Sequence, residues 1–285
     1  MIKTEEIEGV VKIKLARSLL GRPFYFTTAY WVDGLLIDTG CAHTQDEFMA
    51  AVEHLGVERV VNTHSHEDHF GANGALQTRW NVEILAHAEA LPILADPRLL
   101  RLQPYRRIFW GYPDPSVAKP VPFGPGEVVE TAHHRFQVIH TPGHSPDHIC
   151  LYEREKGWLF TGDAYIGGRD RALRADYDIY AIIDSLKKLA KLESTRLFPA
   201  SGTVRDDPRQ DIVRKIKYLE ETGSRVRELH QEGLSRGQIR KAVFGGEMPI
   251  SYVTLGHFSG RNLVRSYLDN AGTRKHGEHE STEVP

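Results

Sequence analysis

Thr63-His64-Ser65-His66-Glu67-Asp68-His69-Phe70-Gly71-Ala72-Asn73-Gly74 is the stretch that decides how the whole chain is read. His64, His66, Asp68 and His69 are good ligands for a divalent cation, and imidazole with carboxylate suits zinc, iron or manganese. The stretch follows an apolar, strand-like run at residues 57–61 and precedes a glycine-rich turn. In extended backbone, alternate side chains point the same way. His64 and His66 are therefore expected to reach one point, and Asp68 and His69, after the chain turns, a second point nearby. The plainer reading is a solvated histidine cluster. It is disfavoured because matching ligand types recur downstream, in His144 and Asp163.

Working outward, the upstream segment reads as strands. Residues 9–16 partly alternate apolar and polar. Residues 24–32 are rich in aromatic and β-branched side chains. Asp33-Gly34 is a hairpin signal, and Leu35-Leu36-Ile37 runs into Asp38 at a strand end. Asp38 there is either a turn former or a residue that orients a metal ligand; the later motifs favour the second. Thr44 to Glu47 has the pattern of a capping box, with Phe48, Val52 and Leu55 following at helical spacing and Gly56 ending the helix. Residues 82–87 form another strand, and His87 fits no ligand pattern.

Downstream, residues 90–126 hold eight prolines and the cluster Tyr105-Arg106-Arg107-Ile108-Phe109-Trp110-Gly111-Tyr112. A connection longer than ~12–15 residues is often a functional lid or an insertion. Tyr105, Trp110 and Tyr112 are the candidates for a substrate pocket wall, against the plain reading of an insertion packed on the scaffold. Residues 136–139, 149–152 and 158–160 are strands, and they place His144 and Asp163 at or beside strand ends. Residues 178–193 form an amphipathic helix, and 196–199 a last short strand. A helical appendage follows: a long helix over 211–231 softened at Gly223, another helix with a capping box at Ser235, and a third across 263–268. The expected division is a catalytic domain over 1–205, the appendage over 206–272, and a polar, disordered tail over 273–285.

Composition bounds the rest. The chain has 285 residues, 40% of them apolar and 26% charged, as in an ordinary globular protein. Formal net charge is -2, which gives no electrostatic case for nucleic acid or an anionic membrane. Cys41 and Cys150 lack C-x-x-C spacing and make no disulfide framework. The first residues show no basic region followed by an apolar core, so no signal peptide is expected. No run approaches the ~18 apolar residues of a membrane span. A cytoplasmic location is the expectation.

Taken together, Asp38, then His64-x-His66-x-Asp68-His69, then His144, then Asp163 resemble the motif series of the metallo-β-lactamase superfamily, over roughly residues 10–205. The resemblance implies an α/β fold: a four-layer αββα sandwich with the metal site along one edge of its sheets, here with a C-terminal helical appendage. It implies that His64, His66 and His144 hold one metal, that Asp68 and His69 help hold a second, and that Asp163 bridges them. Asp38 and His148 would support the ligands from behind. Two zinc ions are implied, with iron or manganese as alternatives. Such ions lie ~3.5–4 Å apart and activate water toward a carbonyl or phosphoryl centre, with Asp68 as the catalytic residue that orients the nucleophile or shuttles its proton.

One departure is visible. The family's fifth motif carries a histidine for the second metal, and here the stretch reads Pro199-Ala200-Ser201-Gly202. Ser201 stands in the histidine's place, so the second site is expected to be weak unless completed from elsewhere. His257, in Leu255-Gly256-His257-Phe258, is the candidate for an additional metal or substrate contact.

The family's β-lactamases do not keep Asp163's equivalent as a ligand. The region from 178 onward is similar to hydroxyacylglutathione-hydrolase-like and small β-lactamase-like groups. The favoured reading is a metal-dependent hydrolase of an ester-like bond, thioester or lactone, on a small-molecule substrate. The alternatives are a phosphodiesterase or nuclease, with Arg106, Arg107, Arg169, Arg171 and Arg174 as phosphate contacts, a mononuclear iron persulfide dioxygenase, and a non-enzymatic sensor. An exposed helical appendage is compatible with a homodimer.

Overall fold

The computed structural model describes residues 1–19, 22–124 and 126–269. The tail over 273–285 lies outside the described residues. The chain divides into two compact units.

The first unit comprises Met1–Ile166 with Leu192–Arg209. Its first sheet has seven strands in sequential order. β1 (Ile2–Ile7), β2 (Val10–Leu19), β3 (Arg22–Val32) and β4 (Leu35–Ile37) pair antiparallel. After β4 comes α1 (Gln45–Val52), then β5 (Arg59–Val61), α2 (Asn73–Trp80) and β6 (Glu83–Ala86). α3 (Leu91–Ala95), α4 (Pro104–Phe109) and β7 (Lys119–Pro120) follow. From β4 to β7 the pairing is parallel. This switch follows from the connections, since a hairpin turn gives an antiparallel neighbour and a helical crossover a parallel one. The second sheet holds β8 (Val128–Glu130), β9 (Arg135–His140), β10 (Ile149–Glu153) and β11 (Trp158–Gly162). After β12 (Leu173–Arg174) and α5 (Ile179–Leu189), which belong to the second unit, β13 (Arg196–Pro199) pairs parallel with β11.

Period-two alternation sorts side chains between the faces. Val10, Tyr30, Val32, Leu35, Ile37 and Val61 from the first sheet meet Phe136, Val138, Ile149, Leu151, Phe160 and Phe198 from the second in one buried cluster. Phe160 stacks on Phe198 with ring centroids 4.8 Å apart, and Tyr30 meets both edge-on at 5.5 and 5.4 Å. Tyr30 Oη donates to the Pro199 carbonyl at 2.6 Å, so the one polar atom in this aromatic group is satisfied. The other face of the first sheet packs Ile13, Leu36, Val60 and Ile84 against Phe48 and Val52 of α1, Leu76 of α2 and Leu94 of α3. The fold is an α/β sandwich.

The second unit comprises Gly167–Lys191 and the chain from Gln210 onward. It contains β12, α5, α6 (Pro208–Gln231), α7 (Arg236–Phe244), α8 (Pro249–Val253), β14 (Phe258–Ser259) and α9 (Gly260–Asp269). β12 and β14 form a two-stranded antiparallel ribbon. Asp178 caps α5, accepting from Tyr180 N at 2.9 Å and Ala181 N at 3.3 Å, and Ser235 and Gln238 form the expected capping box on α7.

Four local features correct the expectations or add to them. The chain opens with a strand, β1, which the sequence hides because only Ile2 and Ile7 are apolar in it; it is an edge strand with four exposed residues between them. Thr44 makes no side-chain cap on α1; its hydroxyl donates to the Cys41 carbonyl at 3.0 Å instead. The connection over 90–126 is not an irregular loop, since α3, α4, β7 and a 3-10 turn occupy much of it. α6 is unbroken at Gly223, where a Cβ would lie 2.7 Å from the Tyr267 ring. That glycine admits an aromatic ring against the helix.

Replacing Phe160 by Ala removes the ring shared by Tyr30, Phe136 and Phe198. The expected loss is about 3–5 kcal/mol of unfolding free energy, measured as a lower urea midpoint with an unchanged m-value.

Candidate metal centre

The centre is built where strands of both sheets end. β4 delivers Asp38, β5 delivers the segment from Thr63 to His69, the β9–β10 connection delivers His144 and His148, and β11 delivers Asp163. The two sheets are tied at this edge by backbone and side-chain bonds. Ile149 N donates to the Thr63 carbonyl at 2.8 Å, and Ser65 N donates to Asp147 Oδ2 at 2.8 Å. Gly162 lets the chain pass: its φ is +47°, and a Cβ would meet Thr63 Oγ1 at 2.8 Å and His148 Nε2 at 2.9 Å.

Asp38 organises the first half. It takes a left-handed conformation, φ 62°, rare for a non-glycine residue. In that pose its carboxylate accepts from Thr63 N at 2.7 Å and Thr63 Oγ1 at 2.8 Å, and it bonds His69 Nδ1 at 2.7 Å. The His69 tautomer is thereby set, with Nε2 aimed away from Asp38. Thr63 Oγ1 also lies 3.0 Å from His64 Nδ1. A buried amide network holds the loop from below: Asn73 Nδ2 donates to Asn62 Oδ1 at 2.7 Å, and Asn62 Nδ2 to the His69 carbonyl at 3.2 Å.

The ligand atoms converge in two groups. His64 Nε2 and His144 Nε2 stand 2.8 and 2.9 Å from His66 Nδ1. Among the described residues, His64, His66 and His144 form one set able to hold a cation, and His64, His69 and Asp163 a second. Asp163 Oδ2 lies 3.3 Å from His144 Nε2 and 3.7 Å from His69 Nε2, which puts one carboxylate oxygen beside both sets. Asp68 Oδ2 is 3.9 Å from His69 Nε2. Three imidazole nitrogens facing one another, with carboxylates adjoining, are a donor set that suits a divalent metal. His148 faces the other way: Asp163 N donates to its Nε2 at 3.1 Å, and Nδ1 lies 2.8 Å from Thr141 Oγ1.

Electrostatics agree with this geometry. Burial, followed by the neighbouring imidazoles, holds His64 well below the usual histidine range, so it is neutral and ready as a ligand. Burial likewise lowers His148 to about 4. For His69, burial acts downward but Asp38, Asp68 and Asp163 outweigh it, and the group sits well above its ordinary value. Burial, with Glu67 and Asp163, raises Asp68 to about 7. Asp163 moves the other way; burial opposes its ionisation, but His144 and His69 hold it below the usual carboxylate range.

Two residues here were missed or misread in the sequence. Glu67 is completely buried, and Arg106 of α4 forms a two-point ion pair with it, Nε to Oε1 at 2.7 Å and Nη2 to Oε2. Arg106 is therefore not a free phosphate contact. Nothing in the local pattern pairs residues 39 positions apart. α4 is pinned from other sides too: His43 Nε2 meets the Arg107 carbonyl at 3.0 Å, His43 N donates to the Trp110 carbonyl at 3.2 Å, and Arg17 bonds the Ile108 carbonyl. Tyr112 Oη accepts from Leu102 N at 3.1 Å beneath Arg107. Tyr105 and Trp110 pack edge-on, and Trp110 meets the exposed Tyr25 at 5.4 Å. Ser201 lies in the turn after β13, half-buried, and neither metal-competent set includes it. His257 belongs to the second unit, between α8 and β14, where its carbonyl accepts from Ala175 N at 3.0 Å and its ring acts on Asp176.

Comparisons with known proteins agree on the family. The family model described as the metallo-beta-lactamase superfamily matches residues 22–201, more than half of the chain. An atrochrysone carboxyl ACP thioesterase from Aspergillus fumigatus is 28% identical over 190 residues, 64% of this chain and 51% of its own length. Hydroxyacylglutathione hydrolase GloC from Haemophilus influenzae is 30% identical over 155 residues, 53% of this chain and 66% of its own. The matched part thus spans between half and two thirds of these relatives. A metallo-beta-lactamase family protein from Thermus thermophilus superposes with a TM-score of 0.69 at 20% identity, covering 93% of this chain and 95% of that one. No helix among the described residues is long and apolar enough to cross a membrane.

Two outcomes follow. Because the surrounding carboxylates favour the protonated form of His69 and burial raises Asp68 to about 7 in the metal-free protein, a cation is expected to displace protons. Zinc uptake by metal-free protein is expected to release protons and to weaken as pH falls from about 8 to 6, read by titration calorimetry in buffers of different ionisation enthalpy. Arg106→Met alone leaves Glu67 buried and unpaired, with an expected cost of about 3–5 kcal/mol. Arg106→Met with Glu67→Leu is expected to cost less than either single change, which a double-mutant cycle on chemical denaturation measures.

Proposed function

Because the chain belongs to the metallo-beta-lactamase superfamily, we propose that it is a metal-dependent hydrolase whose substrate is a small thioester, with a lactone as the nearest alternative. The observation that carries this reading is the convergence of His64, His66 and His144 on one point with Asp163 Oδ2 placed beside both ligand sets. The thioester preference draws on the relatives: one is named as an ACP thioesterase and another as a hydrolase of hydroxyacylglutathione.

In this reading His64, His66 and His144 hold one cation, and Asp68, His69 and Asp163 help hold a second. A bound divalent cation polarises a carbonyl and brings the pKa of water from roughly 15.7 toward 7. Asp68 moves the proton. Its carboxyl group, which burial, Glu67 and Asp163 make reluctant to ionise, would take a proton from the attacking water and return one to the departing group. Asp38 holds His69 in one tautomer, and His148 anchors the backbone of Asp163. Ser201 stands where the family's fifth motif carries a histidine, so the second cation would be held the more weakly. Trp110, with Tyr105 and the exposed Tyr25, forms an aromatic wall on the α4 side of the loop for an apolar acyl group.

The phosphodiesterase alternative has less support, because four of its five candidate arginines have other partners. Arg106 is paired to Glu67, Arg107 donates to the Leu102 carbonyl, Arg171 bonds the Phe244 carbonyl and Arg174 grips Asp176.

The test is elemental analysis of protein purified without added metal, joined to turnover of a panel of acyl thioesters, lactones and a phosphodiester. We expect at least one equivalent of zinc, thioester hydrolysis abolished by chelation and restored by zinc, and a loss of roughly 100-fold or more in kcat for Asp68→Asn with the cation at His64, His66 and His144 retained. Iron with oxygen consumption, or phosphodiester turnover alone, would overturn the reading.

A further inference from the structure

The second unit carries a cavity that the hydrolase reading does not use. It has a volume of about 630 Å³ and is lined by Arg236 and Arg240 of α7, Arg261 and Arg265 of α9, Glu247 and Leu255. Each arginine pair is spaced i,i+4, so both side chains of a pair leave the same helix face, where like charges destabilise one another. The whole chain has a net charge of -2, so this concentration of positive charge is local.

Two carboxylates answer four guanidinium groups. Arg236 Nη2 pairs with Asp269 at 2.5 Å and Arg240 Nη1 with Glu247 at 2.9 Å. Arg265 gives one N–H to the Ala175 carbonyl. Arg240 Nε is buried with no hydrogen-bond partner. The Arg261 guanidinium has no hydrogen bond or ion pair among the described residues. Glu247 is already saturated: besides Arg240, it accepts from Gly260 N at 2.8 Å and Arg261 N at 3.3 Å, where α9 begins. Among the described residues the cavity thus carries guanidinium donors in excess of carboxylates, its other polar lining being the neutral Ser251, Ser259 and Asn262. Its rim is apolar, since Leu255 is 91% exposed, and Tyr252 on the adjacent α8 is 73% exposed.

We propose that this cavity binds a phosphate-bearing organic small molecule, with the phosphate held by Arg240 and Arg261 and the organic part lying on Leu255. Guanidinium forks match phosphate oxygens in pairs. A phosphate near neutral pH carries about -1.5 to -2 charges with three terminal oxygens, enough to satisfy two guanidinium groups at once, which a single carboxylate does not do. The inference is independent of the hydrolase assignment, because every residue in it belongs to the second unit.

The experiment is an equilibrium titration of the full chain at low ionic strength with adenosine 5′-monophosphate and inorganic phosphate, with adenosine and succinate as controls, followed by thermal shift. We expect one saturable site for the nucleotide, tighter than for inorganic phosphate, and no binding of adenosine. Arg261→Ser is expected to weaken binding by roughly tenfold or more, whereas His66→Ala leaves it unchanged, which separates this cavity from the metal centre. Without ligand, Arg261→Ser is expected to leave Tm the same or slightly higher, since it removes an uncompensated charge. Absence of saturable binding overturns the proposal. So does binding that His66→Ala abolishes and Arg261→Ser preserves, or succinate binding as tightly as the nucleotide. A lower ligand-free Tm for Arg261→Ser would assign that guanidinium a structural role and equally overturn it.

Discussion

Everything at the metal centre depends on the carboxylate of Asp38. It bonds three groups at once: Thr63 N, Thr63 Oγ1 and His69 Nδ1. Thr63 opens the ligand segment and His69 closes it, so one side chain fixes both ends of the loop. The backbone meets this demand with a left-handed residue at the end of β4, a conformation disfavoured by roughly 1–3 kcal/mol. The neighbouring strands make the pose tolerable. Asp38 N donates to the Val61 carbonyl and Thr39 N to the His69 carbonyl, so the turn is held by backbone bonds from the loop it orders.

The two halves of the centre differ in charge. The half made by His64, His66 and His144 is imidazole only, and His64 is kept neutral by burial. The half around His69 gathers Asp38, Asp68 and Asp163, and without a cation the His69 proton balances part of their charge. Burial of several carboxylates is costly unless positive charge joins them. A divalent cation is the partner that the donor set invites. Among the described residues this second ligand set joins His64 and His69 to Asp163, so a carboxylate enters it and not the first.

The connection between β6 and β8 is part of the same architecture rather than a loose cover. α4 is fastened to the ligand loop through the buried Arg106–Glu67 pair, and to the segment after β4 through His43. A buried ion pair contributes little net stability compared with a well-packed apolar pair, but it tolerates only one arrangement. Trp110 packs edge-on against Tyr105 of the same helix that carries Arg106, directly after its last turn.

The amino-acid sequence by itself determined the family and brought forward the candidate ligands, because both are written in short, local patterns. H-x-H-x-D-H sits after a strand, His144 and Asp163 lie at or beside strand ends, and period-two alternation names the core faces. It also located α5 and α9 through their apolar spacing, and the departure at Ser201. Only the tertiary structure decided what depends on groups far apart in the chain. Strand β1 carries too few apolar residues to announce itself, and it exists because β2 offers it an edge. Gly223 reads as a helix breaker until Tyr267 is seen to press on it. Arg106 reads as a free cation until Glu67, 39 residues earlier, is found beneath it. The four arginines of α7 and α9 are ordinary helix-surface residues in sequence, and they become one cavity only when those helices lie side by side. Sequence patterns record which way a side chain faces along its own element. They do not record what faces it from another.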